Sequence, residues 1–90
     1  MKAKKYIISG RVQGVGYRYF AQINASKLKI RGYVKNLYNG NVEVYAIANE
    51  EILNKFKEIL RQGPPASRVI DIEEFDMPID NSYDFFEVSF

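Results

Sequence analysis

Three glycines and an arginine lie close together near the start of the chain. Gly10, Gly14 and Gly16 follow an apolar segment, and Arg18 comes two residues after Gly16. Glycine lets the backbone turn tightly and lets a ligand approach the main-chain N–H groups, because no Cβ stands in the way. Amides that point inward at the start of a helix attract anions, and the donors of an arginine fork suit phosphate or carboxylate oxygens. The sequence therefore predicts an oxyanion cradle, which favours a phosphoryl group.

The glycine spacing by itself is not specific. It does not fit the G-x-G-x-x-G motif of dinucleotide-binding folds, and the Gly-Lys-Ser/Thr ending of the P-loop is absent. A plain glycine turn between a strand and a helix, with Arg18 as a solvated surface charge, explains this loop equally well.

A second segment makes the pattern specific. The residues Gly10–Arg18 read G-x-V-Q-G-V-x-aromatic-R, and Gly32–Val42 read G-aromatic-V-K-N-x-x-x-G-x-V. Together the two segments closely resemble the paired signatures of the acylphosphatase family, and the resemblance covers essentially the whole chain. Tyr17 stands where the family usually has phenylalanine, and Ala48 stands where a glycine is usual. Both departures concern positions that we expect to be structural.

The resemblance implies a hydrolase that cleaves the carboxyl-phosphate bond of acyl phosphates, with no metal and no other cofactor. It implies that the amides of a loop and the guanidinium of Arg18 bind the phosphoryl oxygens, and that the amide of Asn36 orients the attacking water. The phosphate-binding residues would be Gln13, Gly14, Val15, Gly16, Tyr17 and Arg18. Neither motif contains a base, so we hypothesise that a phosphate oxygen of the substrate accepts the proton of the water. From the residues alone, a polar strand residue such as Asn36 more often anchors a hairpin.

The chain contains no histidine and no cysteine. These absences exclude a Ser-His-Asp triad, a cysteine or histidine nucleophile, a disulfide and the usual zinc ligands. The acidic residues do not have the spacing of a calcium-binding loop. Hydrolysis of an acyl phosphate remains possible, because its leaving carboxylate has a pKa of about 4 and needs little protonation.

Composition limits the possible organisation and partners. Ninety residues predict a single acylphosphatase-like domain over 1–90. No apolar run is long enough for a membrane span and no signal-peptide pattern is present, so we expect a cytoplasmic monomer with no membrane or nucleic-acid partner. Residues 1–42 hold nine Lys/Arg and no acid, while 43–90 hold four Lys/Arg and eleven acids. A basic first half would favour a small anionic substrate.

The hydrophobic patterns predict a strand-helix-strand-strand-helix-strand order. The elements are strands Lys4–Arg11, Arg31–Leu37, Val42–Ala48 and Arg68–Glu74, helices Tyr19–Lys29 and Asn49–Gly63 with its caps, and a short terminal strand at Phe86–Phe90. This order predicts an α+β, ferredoxin-like βαββαβ sandwich, in which two helices cover one face of an antiparallel sheet. The short C-terminal strand is expected at one edge.

The dipeptide Asn39-Gly40 predicts a two-residue hairpin loop. In that register Leu37 opposes Val42 and Tyr33 opposes Ala46. Strand alternation then places Asn36 on the face opposite Leu37 and Tyr33, so its amide can meet a ligand instead of the core.

Two alternatives remain open at this point. RNA-recognition-motif domains share the element order, and Arg31-Gly32-Tyr33 resembles their aromatic signature. In those domains the signature lies on the third strand, whereas here it lies on the second and the later aromatic positions are missing. A regulatory module could also bind phosphate without turnover. We rank the enzyme first, the phosphate-binding module second and the RNA binder third.

Overall fold

The computed structural model describes residues 1–90 as an α+β sandwich. Its elements are β1 Lys2–Arg11, α1 Tyr17–Lys27, β2 Arg31–Asn36, β3 Val42–Ala48, α2 Glu50–Gln62, β4 Arg68–Met77 and β5 Phe86–Val88. The five strands have the order β4-β1-β3-β2-β5. All neighbouring pairs are antiparallel except β2 and β5, which pair in parallel at one edge. The predicted ferredoxin-like fold is confirmed, and its terminal strand lies beside β2.

Both helices pack on the same face of the sheet. Their buried residues are Tyr17, Ala21 and Ala25 of α1 and Leu53, Phe56 and Leu60 of α2. Spacings of three and four residues place these side chains on one side of each helix, where they join the inward residues of the strands in one core cluster. Neither helix is long and apolar enough to span a bilayer.

The first helix begins two residues earlier than the prediction. Tyr17, in its first turn, is 1% exposed, whereas Phe20 and Leu28 are only partly buried. Small residues at positions 21 and 25 let the helix approach the sheet closely. Helix α1 therefore starts immediately after the glycine loop, which brings the loop amides to a helix N-terminus.

The observed register of the hairpin between β2 and β3 differs from the predicted register by one residue. Tyr33 is opposite Tyr45, and Val42 is opposite Asn36 instead of Leu37. The loop is therefore three residues long and ends on Gly40, whose φ is 92°. This is a type I turn followed by a left-handed glycine, a second hairpin geometry that Asn-Gly fits. The dipeptide did not distinguish between the two loops, and the predicted pairing was wrong.

Asn36 ends β2 on the same face as Val34, which is fully buried under the helices. Tyr33 packs with the separate cluster on the other face, as the predicted alternation requires. The face of Asn36 is the one that the helices cover, not the open one. Asn36 stays exposed because it lies at the end of the strand, beyond the packed core.

Some basic residues of the first half of the chain form ion pairs with acidic residues of the second half in the folded structure. Strand β1 lies between β3 and β4, so the Nζ atom of Lys4 contacts Glu74 at 2.7 Å and Asp76 at 3.0 Å. Lys2 and Lys35 also pair with acidic residues of the second half of the chain. Three of the nine basic residues of the first half are therefore paired with acids of the second half, which weakens the field of the basic half without removing it.

Candidate active site

The loop between β1 and α1 forms a cradle with unpaired main-chain donors. Gly14 and Gly16 have φ values of 73° and 79°, in the left-handed region that favours glycine. Gly16 is also the N-cap of α1, and no side chain caps this helix. None of the turn, loop or cap hydrogen bonds of the main chain uses an N–H group of residues 13–18. The start of α1 therefore offers its amides, together with the positive end of the helix dipole, to an anion.

A pocket of about 620 Å³ joins this loop to β2 and β5. Its wall contains Gly14, Gly16, Arg18 and Asn36, which belong to both sequence motifs. A methyl group added at either glycine would meet no other atom within 4 Å, so both lie against open space. The fold thus brings the predicted catalytic pair and the loop glycines to one pocket.

The remaining loop residues do not direct their side chains into the pocket in the same way. Val15 packs against the core cluster, and Gln13 lies beside an adjoining groove. Tyr17 touches the pocket, but its buried hydroxyl donates a hydrogen bond to the carbonyl of Leu60. These three residues can take part in anion binding only through their main-chain N–H groups.

The guanidinium of Arg18 has no carboxylate partner, because Arg18 occurs in none of the ion pairs of the chain. Its Nη1 atom is 3.5 Å from the carbonyl oxygen of Ser89, and its Cζ atom lies 4.8 Å from the centroid of the Phe90 ring. Arg18 is half-buried. Most of its donors remain free for an anion in the pocket.

Residues of β5 and of the two positions that follow it complete the site, and sequence reasoning did not assign them to it. The N–H group of Ser89 donates to the carbonyl of Val34 on β2, at 2.8 Å. Phe90, the next residue, lines the pocket together with Arg18 and Asn36. Glu87 and Val88 line the same pocket. The alternation of Phe86, Val88 and Phe90 gave the only signal, and it did not indicate which edge the strand would join.

Asn36 has a free side-chain amide, which forms none of the side-chain hydrogen bonds of the hairpin. The side-chain oxygen of Asn39 accepts from the N–H of Asn41 at 3.0 Å. The side-chain amide of Gln13 donates to carbonyl oxygens of the hairpin. The alternative role of Asn36 as the hairpin anchor is therefore taken by other residues. Its amide can donate to and accept from a water molecule in the pocket.

Tyr33, the aromatic residue of the signature-like Arg31-Gly32-Tyr33 segment, lies on the opposite, helix-free face. The ring of Tyr33 stacks on Tyr45 at 5.6 Å and contacts Tyr83 at 5.8 Å between centroids. The hydroxyl of Tyr45 donates to the carbonyl of Pro78, so the following loop covers this cluster. These ring faces are used within the chain, whereas a nucleic-acid base would need one of them exposed.

Comparisons with known proteins agree with this arrangement. The family model described as Acylphosphatase matches residues 4–88. Curated acylphosphatases of Petrotoga mobilis and Archaeoglobus fulgidus are 43% and 44% identical over 90 residues, which is the full length of each protein and of this chain. The crystal structure of acylphosphatase from Bacillus subtilis superposes with a TM-score of 0.95 at 39% identity, and the alignment covers both chains completely.

Proposed function

The chain belongs to the acylphosphatase family, and we propose how its pocket hydrolyses the carboxyl-phosphate bond of acyl phosphates. In this proposal Arg18 and Asn36 are catalytic, and the loop Gln13–Arg18 binds the phosphoryl group. The observation that carries it is the meeting, in one pocket, of free loop amides, an unpaired guanidinium and an unbonded amide. The products are a carboxylate and inorganic phosphate.

The cradle binds the phosphoryl group through several donors at once. The loop amides and the fork of Arg18 surround its oxygens, and the N-terminus of α1 adds a favourable dipole. Charge spreads over these oxygens in the transition state, so preorganised donors stabilise it without covalent chemistry. The carboxylate leaves with its bonding electron pair and needs little protonation, since its pKa is about 4.

The side-chain amide of Asn36 places the attacking water. Its carbonyl oxygen accepts one proton of the water in a hydrogen bond, which directs a lone pair of the water at phosphorus. No histidine exists in the chain to act as the base. In this proposal a phosphoryl oxygen of the substrate, and not the carboxylate of Glu87 that lines the same pocket, takes the proton as the P–O bond to the water forms.

We also propose the domain organisation, the oligomeric state and the cellular compartment of the chain. It acts as one domain over residues 1–90 and as a cytoplasmic monomer, with no cofactor and no nucleic-acid partner. The covered tyrosine cluster around Tyr33 and Tyr45 supports the last point, because its ring faces are already in contact. A phosphate-binding module without turnover would not need the free amide of Asn36 beside the cradle.

Hydrolysis of acetyl phosphate in the presence of a metal chelator tests the proposal. We expect phosphate release at an unchanged rate after chelation, and a strong loss of rate in Arg18→Ala. Phosphate binding without release would identify a regulatory module instead. A salt-dependent titration with single-stranded RNA, run in parallel, should show no binding at physiological ionic strength.

A further inference from the structure

We propose that the side chain of Gln13 is a positioning residue that fixes Asn36 relative to the phosphate-binding loop. This inference rests on the proposed function, since it concerns the same water-orienting amide. It assigns to the Gln13 side chain a role that is separate from that of its main-chain N–H.

The hydrogen bonds of Gln13 cross from the loop to the hairpin. Its Nε2 atom donates to the carbonyl oxygens of Leu37 and Asn41, each at 2.8 Å. Leu37 and Asn41 are the pair that closes the hairpin loop, since the N–H of Leu37 donates to the carbonyl of Asn41 at 2.8 Å. One primary amide thus holds both ends of the turn that directly follows Asn36.

The sheet does not make this connection directly. The loop follows β1 and Asn36 ends β2, but β3 lies between these two strands. Any movement of β2 relative to β1 at this end of the sheet would change the distance from Asn36 to the cradle. Gln13 spans that gap, because its side chain leaves the loop and reaches the residue next to Asn36.

The chemistry of the contact requires an amide. Two carbonyl oxygens need two N–H donors at one atom, and the Nε2 group of glutamine supplies both. A glutamate would place a carboxylate against two carbonyl oxygens, and a methionine of similar length would provide no donor. Each carbonyl also accepts a main-chain N–H, from Gly40 at 3.2 Å and from Leu37. The turn therefore remains hydrogen-bonded without Gln13, and only its attachment to the loop is lost.

Catalysis is more sensitive to this attachment than folding is. A water must be held within a fraction of an ångström of its attack position, and a misplacement of 1 Å can cost about 10²-fold in rate. The Gln13 side chain donates only to the hairpin and forms no hydrogen bond with the cradle amides or Arg18, so we expect those donors to stay in place without it. Loss of the side-chain amide should therefore lower kcat and leave phosphate affinity nearly unchanged.

The variant Gln13→Met tests this separation, with Gln62→Met at the exposed end of α2 as its control. We expect kcat for acetyl phosphate to fall about 10-fold, while inhibition by inorganic phosphate changes by less than about threefold. Gln13→Asn, which keeps both donors on a shorter side chain, should recover part of the rate. Equal losses of kcat and phosphate affinity, or an unchanged kcat in a folded Gln13→Met protein, would overturn the proposal.

A double-mutant cycle with Asn36→Ala identifies the route of the effect. If Gln13 acts through Asn36, adding Gln13→Met to Asn36→Ala should cost less than about twofold more. A full additional loss in that background overturns the positioning role and leaves the catalytic role of Asn36 intact. Parent-like turnover of Asn36→Ala alone removes Asn36 from the mechanism, and the role of Gln13 with it.

Discussion

The guanidinium of Arg18 lies against the ring of Phe90, with 4.8 Å between its Cζ atom and the ring centroid. Phe90 is otherwise exposed, and the adjacent carbonyl oxygen of Ser89 is 3.5 Å from Nη1. An arginine over an aromatic face loses little of its ability to donate hydrogen bonds in its own plane. The contact therefore restricts the orientation of the guanidinium while its donors stay available to the pocket.

Phe90→Ala should weaken substrate binding more than it slows the chemical step. An exposed cation–π contact contributes about 0.5–1 kcal/mol, so we expect KM and the inhibition constant of phosphate to rise about two- to fivefold. Steady-state kinetics with acetyl phosphate measure both constants. Phe85→Ala, which removes an exposed ring before β5, should leave them unchanged. Unchanged constants in Phe90→Ala would show that the ring does not help to hold Arg18.

Substitution of Arg18 separates its charge from its shape. Arg18→Ala should lose phosphate affinity and at least about 10²-fold in kcat, because the main charged donor of the cradle is gone. Arg18→Lys keeps the charge but not the planar fork, so its losses should be intermediate. Calorimetric titration with inorganic phosphate measures the affinity, with the exposed Arg11→Ala as control. Parent-like phosphate binding by Arg18→Ala would contradict the assignment of the cradle.

Substitution of Asn36 should affect turnover and not the fold. Its side chain is exposed and forms no hydrogen bond within the hairpin, so Asn36→Ala should keep its Tm and lose about 10²-fold in kcat. Asn39→Ala, three positions away, is the matched control, because we expect it to affect stability and not turnover. It removes the oxygen that accepts from Asn41, so it should lower Tm slightly and leave kcat unchanged. Equal turnover in the two variants would argue against a role for Asn36.

Local signals explain why the elements could be predicted from sequence. Helix α2 begins and ends where its residues indicated: Asn49 accepts from the N–H of Ile52 at 2.8 Å, and Gly63 is its C-cap. Each of these contacts lies within one turn of helix, so the residues that determine it are neighbours in the sequence. The two motifs likewise pointed to the loop and the strand that the fold brings to one pocket.

Contacts between distant segments explain what could not be predicted. The bond from Ser89 to Val34 and the bonds from Gln13 to the hairpin join residues more than twenty positions apart. No periodic pattern identifies such partners, because periodicity reports only the face of an element. The error in the predicted hairpin register had a different cause. Asn39-Gly40 is compatible with two loop lengths, and only the pairing of the strands decides between them.

Two buried tyrosines predict a loss of stability at alkaline pH. Burial raises the pKa of Tyr6 to about 12 from an ordinary 10.0, and burial also raises the pKa of Tyr17. Both hydroxyls ionise more easily in the unfolded chain, so their contribution to stability is complete below pH 10 and is lost as the pH rises toward the folded-state values. Each should steepen the fall in unfolding free energy by up to about 1.4 kcal/mol per pH unit.

Urea unfolding at pH 8, 10 and 11 measures this slope. Tyr17→Phe should be somewhat less stable at pH 8, because the bond to the Leu60 carbonyl is lost, and the gap to the parent should narrow or reverse at pH 11. Tyr38→Phe, at a fully exposed position, should keep the parent's pH dependence. A parallel decline of the parent and Tyr17→Phe above pH 10 would mean that Tyr17 does not resist ionisation in the folded state.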